Sequence, residues 1–237
     1  MTESDPRAAL HSLNRAHRRF SDLIGRRELL NVAPQIARLE RSYLRIVQAW
    51  SDSIESKDRY TAGHCARVAD YTCRLAGALG FAGRDLTWLR IGALLHDIGK
   101  SQIDSTILNK PGALDPFEWA DLRRHTLVGE GIVADLGLPY DIRPMVRSHH
   151  ERWDGTGYPD HLAGEQIPLI ARILCIADVY DALTTKRSYH SASTPAQALA
   201  LMESESGRIF DPQLFAVFRN LMLVEQGRTN GSTGDEN

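Results

Sequence analysis

A chain of 237 residues with 43% apolar and 24% charged side chains holds enough apolar material for one hydrophobic core, which excludes full disorder and predicts one domain with extensions. Its formal net charge of -2 excludes a molecule-wide field that would gather long nucleic acid, while a local cluster of cations still suits a small anionic ligand. Cys65, Cys73 and Cys175 fit neither a disulfide framework nor a structural zinc motif. No stretch reaches the roughly 18 apolar residues of a membrane span, and the start MTESDPRAALHS lacks a signal-peptide core, so the reducing cytoplasm is the expected location.

Residues 1 to 30 are polar and basic, with RAHRR at 15–19 and GRR at 25–27, and read as a solvated helix or a piece of linker. From Ile36 the apolar positions Leu39, Tyr43, Ile46, Val47, Trp50 and Ile54 follow at steps of three and four, which predicts one face of a helix. That arm predicts a homodimer contact or a seat for an upstream domain, although packing on its own domain gives the same pattern. The segment TAGHCARVADYTCRLAGALG carries Val68, Tyr71, Leu75 and Leu79 at helical spacing and stops at Gly80. A second helix is expected from Asp85 through WLRIGALLHDIGK, with Leu86, Leu89, Leu94 and Leu95 inward and Gly99 near its end. Pro111-Gly112 breaks the connection that follows. Asp115-Pro116 then opens a helix that carries Glu118 and His125 and runs on past Ile132 and Leu136 to Gly137.

Residues 141–151 predict a helix ending at His149-His150, and RWDGTGYPDHLAGEQIP, dense in Gly, Asp and Pro, must be a loop. LIARILCIADVYDALTT resembles a buried strand in composition, but its length and the spacing of Ile173, Ala177, Tyr180 and Leu183 favour a buried helix. Helices are expected again over 195–204 and 212–226, and the tail 227–237 has no apolar anchor and should be disordered. With no alternating strand pattern anywhere, the fold class is all-α.

Nine histidines are present, several beside or in register with carboxylates. His96-Asp97 closes an apolar helix, where burying two ionisable groups is costly unless they are paired or metal-bound; a structural His-Asp hydrogen bond is the plainer alternative. His149-His150 precedes the glycine-rich loop, and Asp178 sits in the middle of an apolar helix, where a carboxylate asks for a cation. His64 and His125, each on an amphipathic helix, bring the set to seven candidate ligands on five segments. That is too many for one tetrahedral zinc and suits two near-octahedral ions. A carboxylate bridges two ions more readily than an imidazole does, so Asp97 is the expected bridge. Two ions about 3.5 to 4 Å apart favour phosphodiester hydrolysis. Lys100 either neutralises developing phosphate charge or merely caps the helix end. Tyr158 and Trp153 can stack on a base or pack the loop onto the core. Lys186 and Arg187 are either phosphate contacts, Arg187 through its bidentate fork, or a solvated basic pair.

The ordered motifs ESKDRYTAGHCARVA, LLHDIGK, ILNKPGALDPFE with His125 following, HHERWDGTGYP and IADVYDALTTKRSY resemble the HD-GYP family of the HD superfamily of metal-dependent phosphohydrolases, over residues 43 to 210. The resemblance implies an HD-domain helical bundle with an HD-GYP extension at 43–226, behind an arm at 1–42. It implies hydrolysis of the bacterial messenger cyclic di-GMP to pGpG and, in some members, onward to GMP. It carries the metal-ligand role to His64, His96, Asp97, His125, His149, His150 and Asp178, and marks Lys100 as the active-site lysine. It places the signature at Gly157, Tyr158 and Pro159, and phosphate contacts at Lys186 and Arg187. Iron is the implied metal, with manganese as a substitute. Relatives with a third ion use a glutamate one turn before the first histidine; here that position is Tyr60 and Glu55 is remote, so two ions are expected. An upstream regulatory domain, or a diguanylate cyclase domain at the GYP loop, is the implied protein partner. A phosphodiesterase for another cyclic dinucleotide such as 3',3'-cGAMP is the rival enzyme. A catalytically silent receptor or scaffold is the rival of another class.

Overall fold

The computed structural model describes residues 26–57, 63–185 and 192–231. The chain divides into two compact units, Met1–Ile46 and Val47–Asn237, and one helix, α1 (Arg26–Glu55), runs through the division. In the first unit the described part of α1 exposes Leu39, Tyr43 and Ile46. In the second, its last turns bury Val47, Ser51 and Glu55, four residues apart on one face, while Trp50 is 44% exposed.

The second unit is built around α2 (His64–Ala78), α3 (Arg84–Leu95) and α8 (Leu169–Thr184). α2 packs against both of the others. Val68, Ala69, Leu75 and Ala76 of α2 meet Ala93 and Leu95 of α3 and Ile173, Leu174, Ile176 and Ala177 of α8 in a core without exposed area. α8 is the buried helix that its 3-4 spacing predicts. α9 (Pro195–Glu203) starts with a capping box from Thr194 and Gln197. α10 (Pro212–Gly231) brings Phe218 against Tyr71 and Tyr180. It continues into the segment expected to be disordered.

Two expected helices are broken. α3 stops at Leu95, and His96 and Asp97 stand in a turn before a short 3-10 segment, Ile98–Gln102. Gly99 is required there: a Cβ would lie 1.9 Å from the carbonyl oxygen of His125, so only glycine lets this segment rest against the backbone at His125. After the four-residue α4 (Ser105–Leu108), the expected helix from Pro116 to Leu136 is two: α5 (Pro116–Arg123), capped by Asp115 and Glu118, and α6 (His125–Asp135). The helix expected over 141–151 is α7 (Arg143–Ser148), and it ends just before His149-His150. Among the described residues only two isolated β-bridges occur, Asp154 with Ala163 and Ser206 with Phe210, so the fold is all-α. No described helix is long and apolar enough to cross a membrane.

Candidate metal centre

Helix ends converge on one buried place. His64 opens α2, His96 and Asp97 follow α3, His125 opens α6, His149 and His150 follow α7, and Asp178 lies inside α8. The structure brings all seven expected donors together as two adjoining groups that could each hold an ion: Asp97, His125, His149 and His150, and His64, His96 and Asp178. Asp97 faces both. Its Oδ1 lies 3.4 Å from His125 Nε2 and 3.9 Å from His149 Nε2, and its Oδ2 lies 3.4 Å from His96 Nε2. His96 and His149 make edge contact at 5.0 Å, and the His149 and His150 rings are 4.1 Å apart.

Hydrogen bonds set the direction of the rings. Nδ1 of His96, His125 and His149 stands 2.6, 2.7 and 2.8 Å from the carbonyl oxygens of Ala93, Leu122 and Val146. A carbonyl only accepts, so each Nδ1 carries a proton and each Nε2 is left to face inward. Yet Nε2 of His125 and Nε2 of His149 are 3.3 Å apart, and both face a carboxylate whose Oδ1 is buried without a hydrogen-bond partner. Lone pairs and carboxylate oxygen crowded in this way repel unless a cation stands among them. Protonating the rings is not the remedy: burial pushes the His125 and His149 imidazoles down, and that of His150 to about 3. The donor set therefore fits a binuclear metal site.

His64 differs. Burial would lower its pKa, but hydrogen bonds to Asp178 and Asp181 raise it to about 9. Nε2 is 3.2 Å from Asp178 Oδ1 and Nδ1 is 2.7 Å from Asp181 Oδ2. Asp181 also accepts from Arg67 Nε at 2.6 Å and Nη2 at 3.1 Å. This carboxylate, buried behind the His64 ring, is not among the residues that the sequence singles out; its spacing of three from Asp178 along α8, which puts both on one helix face, is the available signal. Glu55 was set aside there as too remote. Its carboxylate accepts from the backbone N–H of Gly63 (2.7 Å) and of Cys65 (2.5 Å), so it braces the segment that presents His64. Tyr60 lies outside the described residues. Lys100 Nζ donates to Asp97 Oδ2 at 2.6 Å, and Lys100 with the imidazoles holds the Asp97 carboxyl well below its usual range against the opposing effect of burial.

The loop after His150 is shaped from beneath by Glu151, 2% exposed, whose two oxygens accept from the N–H of Asp160 (2.6 Å) and of Leu162 (3.1 Å). Gly157 passes so close to the preceding turn that a Cβ would sit 2.3 Å from Arg152 N. The Tyr158 ring then covers His150 at 4.8 Å, tilted 30°, with Pro159 joined to it by a cis peptide bond. The backbone N–H of Trp153 donates to Ile209 O, and the guanidinium of Arg172 lies 5.7 Å over the Trp153 ring, so this side chain packs on the domain. Lys186 and Arg187 lie outside the described residues.

An all-helical frame that focuses histidines and carboxylates from five segments on a binuclear site defines a metal-dependent phosphohydrolase of the HD type. The sequence pattern of the HD domain family matches residues 48–214. The chain belongs to that family, within the HD/HD-GYP superfamily and related to cyclic-dinucleotide phosphodiesterases. It is 40% identical over 197 residues to 3'3'-cGAMP-specific phosphodiesterase 3 of Vibrio cholerae, a match covering 82% of this chain and 43% of the relative. It is 37% identical over 182 residues to the cyclic di-GMP phosphodiesterase response regulator RpfG of Xanthomonas campestris, covering 73% and 47%. The chain thus spans less than half the length of these curated relatives. Among solved structures, the cyclic GMP-AMP-specific phosphodiesterase V-cGAP3 of V. cholerae superposes with a TM-score of 0.61 at 23% identity over 78% of this chain and 49% of that one. The HD domain of the Listeria monocytogenes phosphodiesterase PgpH superposes with a TM-score of 0.54 at 17% identity over 76% and 98%. These two likenesses are of fold.

Proposed function

We propose that this chain is a metal-dependent phosphodiesterase that hydrolyses a 3',3'-linked cyclic dinucleotide, with seven ligands, His64, His96, Asp97, His125, His149, His150 and Asp178, holding two ions. The observation that carries the reading is Asp97, one carboxylate with an oxygen toward each donor group and one of those oxygens buried without a hydrogen-bond partner. Iron fits the mixed imidazole and carboxylate donors, and manganese is the substitute. When bound, the two ions supply an activated water and charge neutralisation for in-line displacement at phosphorus. The chain's own residues do the rest. Nδ1–H bonds to Ala93, Leu122 and Val146 fix three rings, and Asp181 fixes a fourth. Lys100 keeps Asp97 ionised and is assigned to assist protonation of the leaving oxygen. Tyr158, Gly157 and Pro159 wall the site beside His150, with Lys186 and Arg187 assigned to phosphate.

The resemblance in the sequence points to cyclic di-GMP, but 3'3'-cGAMP-specific relatives at 40% and 38% identity stand beside cyclic di-GMP relatives at 37% and 35%. The substrate reading is accordingly a purine cyclic dinucleotide, with 3',3'-cGAMP placed level with cyclic di-GMP. The free cysteines suit action in the reducing cytoplasm. The exposed stripe of α1 suits a second copy of the chain, and a regulatory domain or a cyclase is the protein partner that the family resemblance implies. The test is product chromatography after anaerobic incubation of the iron- or manganese-loaded protein with cyclic di-GMP and 3',3'-cGAMP in competition. Linear dinucleotide or mononucleotide products are expected, and the ratio of the two rates names the substrate. Two bound ions with no cleavage of either would refute the enzyme reading in favour of a receptor.

A further inference from the structure

A ladder of side chains leads away from the metal donors. Tyr158 covers His150 at 4.8 Å, the guanidinium of Arg123 lies 5.1 Å over the Tyr158 ring, and the same guanidinium lies 5.8 Å over the ring of Trp119. Arg123 closes α5, two residues before the donor His125, and both Arg123 and Trp119 are exposed. Two ring spacings therefore separate the cation from the ligand set.

Charge pairing distinguishes Arg123 from its neighbours. Lys110 is held by Glu118 at 2.5 Å, Arg124 by Asp121 at 2.8 Å, Arg143 by Asp141 at 2.7 Å, and Arg147 by both Glu130 and Asp160. Among the described residues no carboxylate stands at ion-pair distance from Arg123, nor from Arg152 in the loop after His150. Both cations act on the Tyr158 hydroxyl, against burial and the carboxylates of Asp97 and Asp178. An arginine seated over two aromatic rings has its position fixed by cation–π attraction, yet keeps its donor fork for an incoming anion.

We propose that Arg123, held by Tyr158 and Trp119, binds the second phosphodiester of a cyclic dinucleotide, the one that is not being cleaved. The inference rests on the phosphodiesterase reading and extends it to how a macrocycle is told from a simple diester. A cyclic dinucleotide carries two phosphates on one ring. With one on the ions, the macrocycle itself holds the other nearby, where a fixed cation adds to its binding. A guanidinium matches two of its oxygens.

The experiment compares the full, metal-loaded chain with Arg123→Gln and Arg123→Lys on cyclic di-GMP, 3',3'-cGAMP and bis(p-nitrophenyl) phosphate, which has a single diester. Metal content of each variant is measured alongside. For Arg123→Gln, the ratio of kcat/KM on cyclic dinucleotide to kcat/KM on the simple diester should fall about tenfold or more, carried by KM, as for loss of a charge-assisted contact. Arg123→Lys should recover part of it. An unchanged ratio overturns the inference while the enzyme reading stands, and so does a parallel loss on both substrates, which marks Arg123 as a support for Tyr158 only. No turnover of either dinucleotide by the parent chain overturns both.

Discussion

Replacing Asp181 with asparagine tests whether the ligand rings are held by their outer partners. The carboxylate is 1% exposed, accepts from His64 Nδ1 at 2.7 Å and is clamped by two nitrogens of Arg67 at 2.6 and 3.1 Å. Asparagine keeps the shape and one acceptor but removes the charge that orients the ring and makes it a better donor. Losing an outer partner of a ligating histidine costs about 10- to 100-fold in metal affinity, or about 1.4 to 2.8 kcal/mol. The loss should fall on one ion, because His64 belongs to the group with His96 and Asp178 and not to that of His125, His149 and His150. The assay is metal content after dialysis against limiting manganese, with turnover followed as metal is added back. We expect the parent chain to keep two ions and the variant nearer one, with activity restored at high metal. Affinity and rate both within twofold of the parent, or a rate loss that added metal does not restore, would refute the orienting role.

Asp97→Ala removes the carboxylate shared by both groups and should abolish turnover and lower the bound metal by at least one ion, as read by elemental analysis; activity near that of the parent would remove Asp97 from the centre. Gly157→Ala forces a Cβ to within 2.3 Å of Arg152 N and 2.5 Å of Glu151 Cα, both backbone atoms that cannot swing aside. It should cost about 1 to 3 kcal/mol of stability and reduce turnover about tenfold by moving Tyr158 off His150, with both ions retained; thermal unfolding and kinetics check the two halves, and a wild-type melting point argues against the close approach. The stripe Leu39, Tyr43, Ile46 and Trp50 on α1 is exposed with the 4-3-4 spacing of a coiled-coil seam. Light scattering at micromolar concentration should give a dimer, and Ile46→Asp a monomer with its metal intact; a monomeric parent rules the seam out.

The fold class was legible because each long element advertises itself. α8 shows a 3-4 spacing over a length no strand would have, and α5 and α9 begin with Pro behind an acid or hydroxyl cap. The donors were legible for a different reason: ionisable residues in apolar surroundings, such as Asp178 in RILCIADVYDAL, need compensation that only a partner supplies. The helix ends at Leu95 and Arg123 were not legible, since no Gly or Pro stands at either break. They are imposed by tertiary contact, with Gly99 laid against His125. Asp181 and Arg123 escaped notice because each reads as an ordinary charged residue on a helix, and Glu55 read as too remote from His64 to matter. Only the fold brings Asp181 behind His64, Glu55 to the amides flanking it, and Arg123 over Tyr158.

Those unforeseen breaks are what aim the ligands. A helix leaves its last four carbonyls without intrahelical donors. α3, α5 and α7 end at Leu95, Arg123 and Ser148, so the carbonyls of Ala93, Leu122 and Val146 lie in their last turns. A histidine placed three residues beyond each of these carbonyls, at 96, 125 and 149, donates Nδ1–H to it and must present Nε2 to the centre. The same geometry is used three times, and each time a ring that would otherwise choose between tautomers is committed to one. The break after Leu95 also turns the chain: Asp97 and the 3-10 segment Ile98–Gln102 leave the helix axis and lay Gly99 against the carbonyl of His125, a contact that a helix running on through Asp97, as the apolar pattern suggests, would not make.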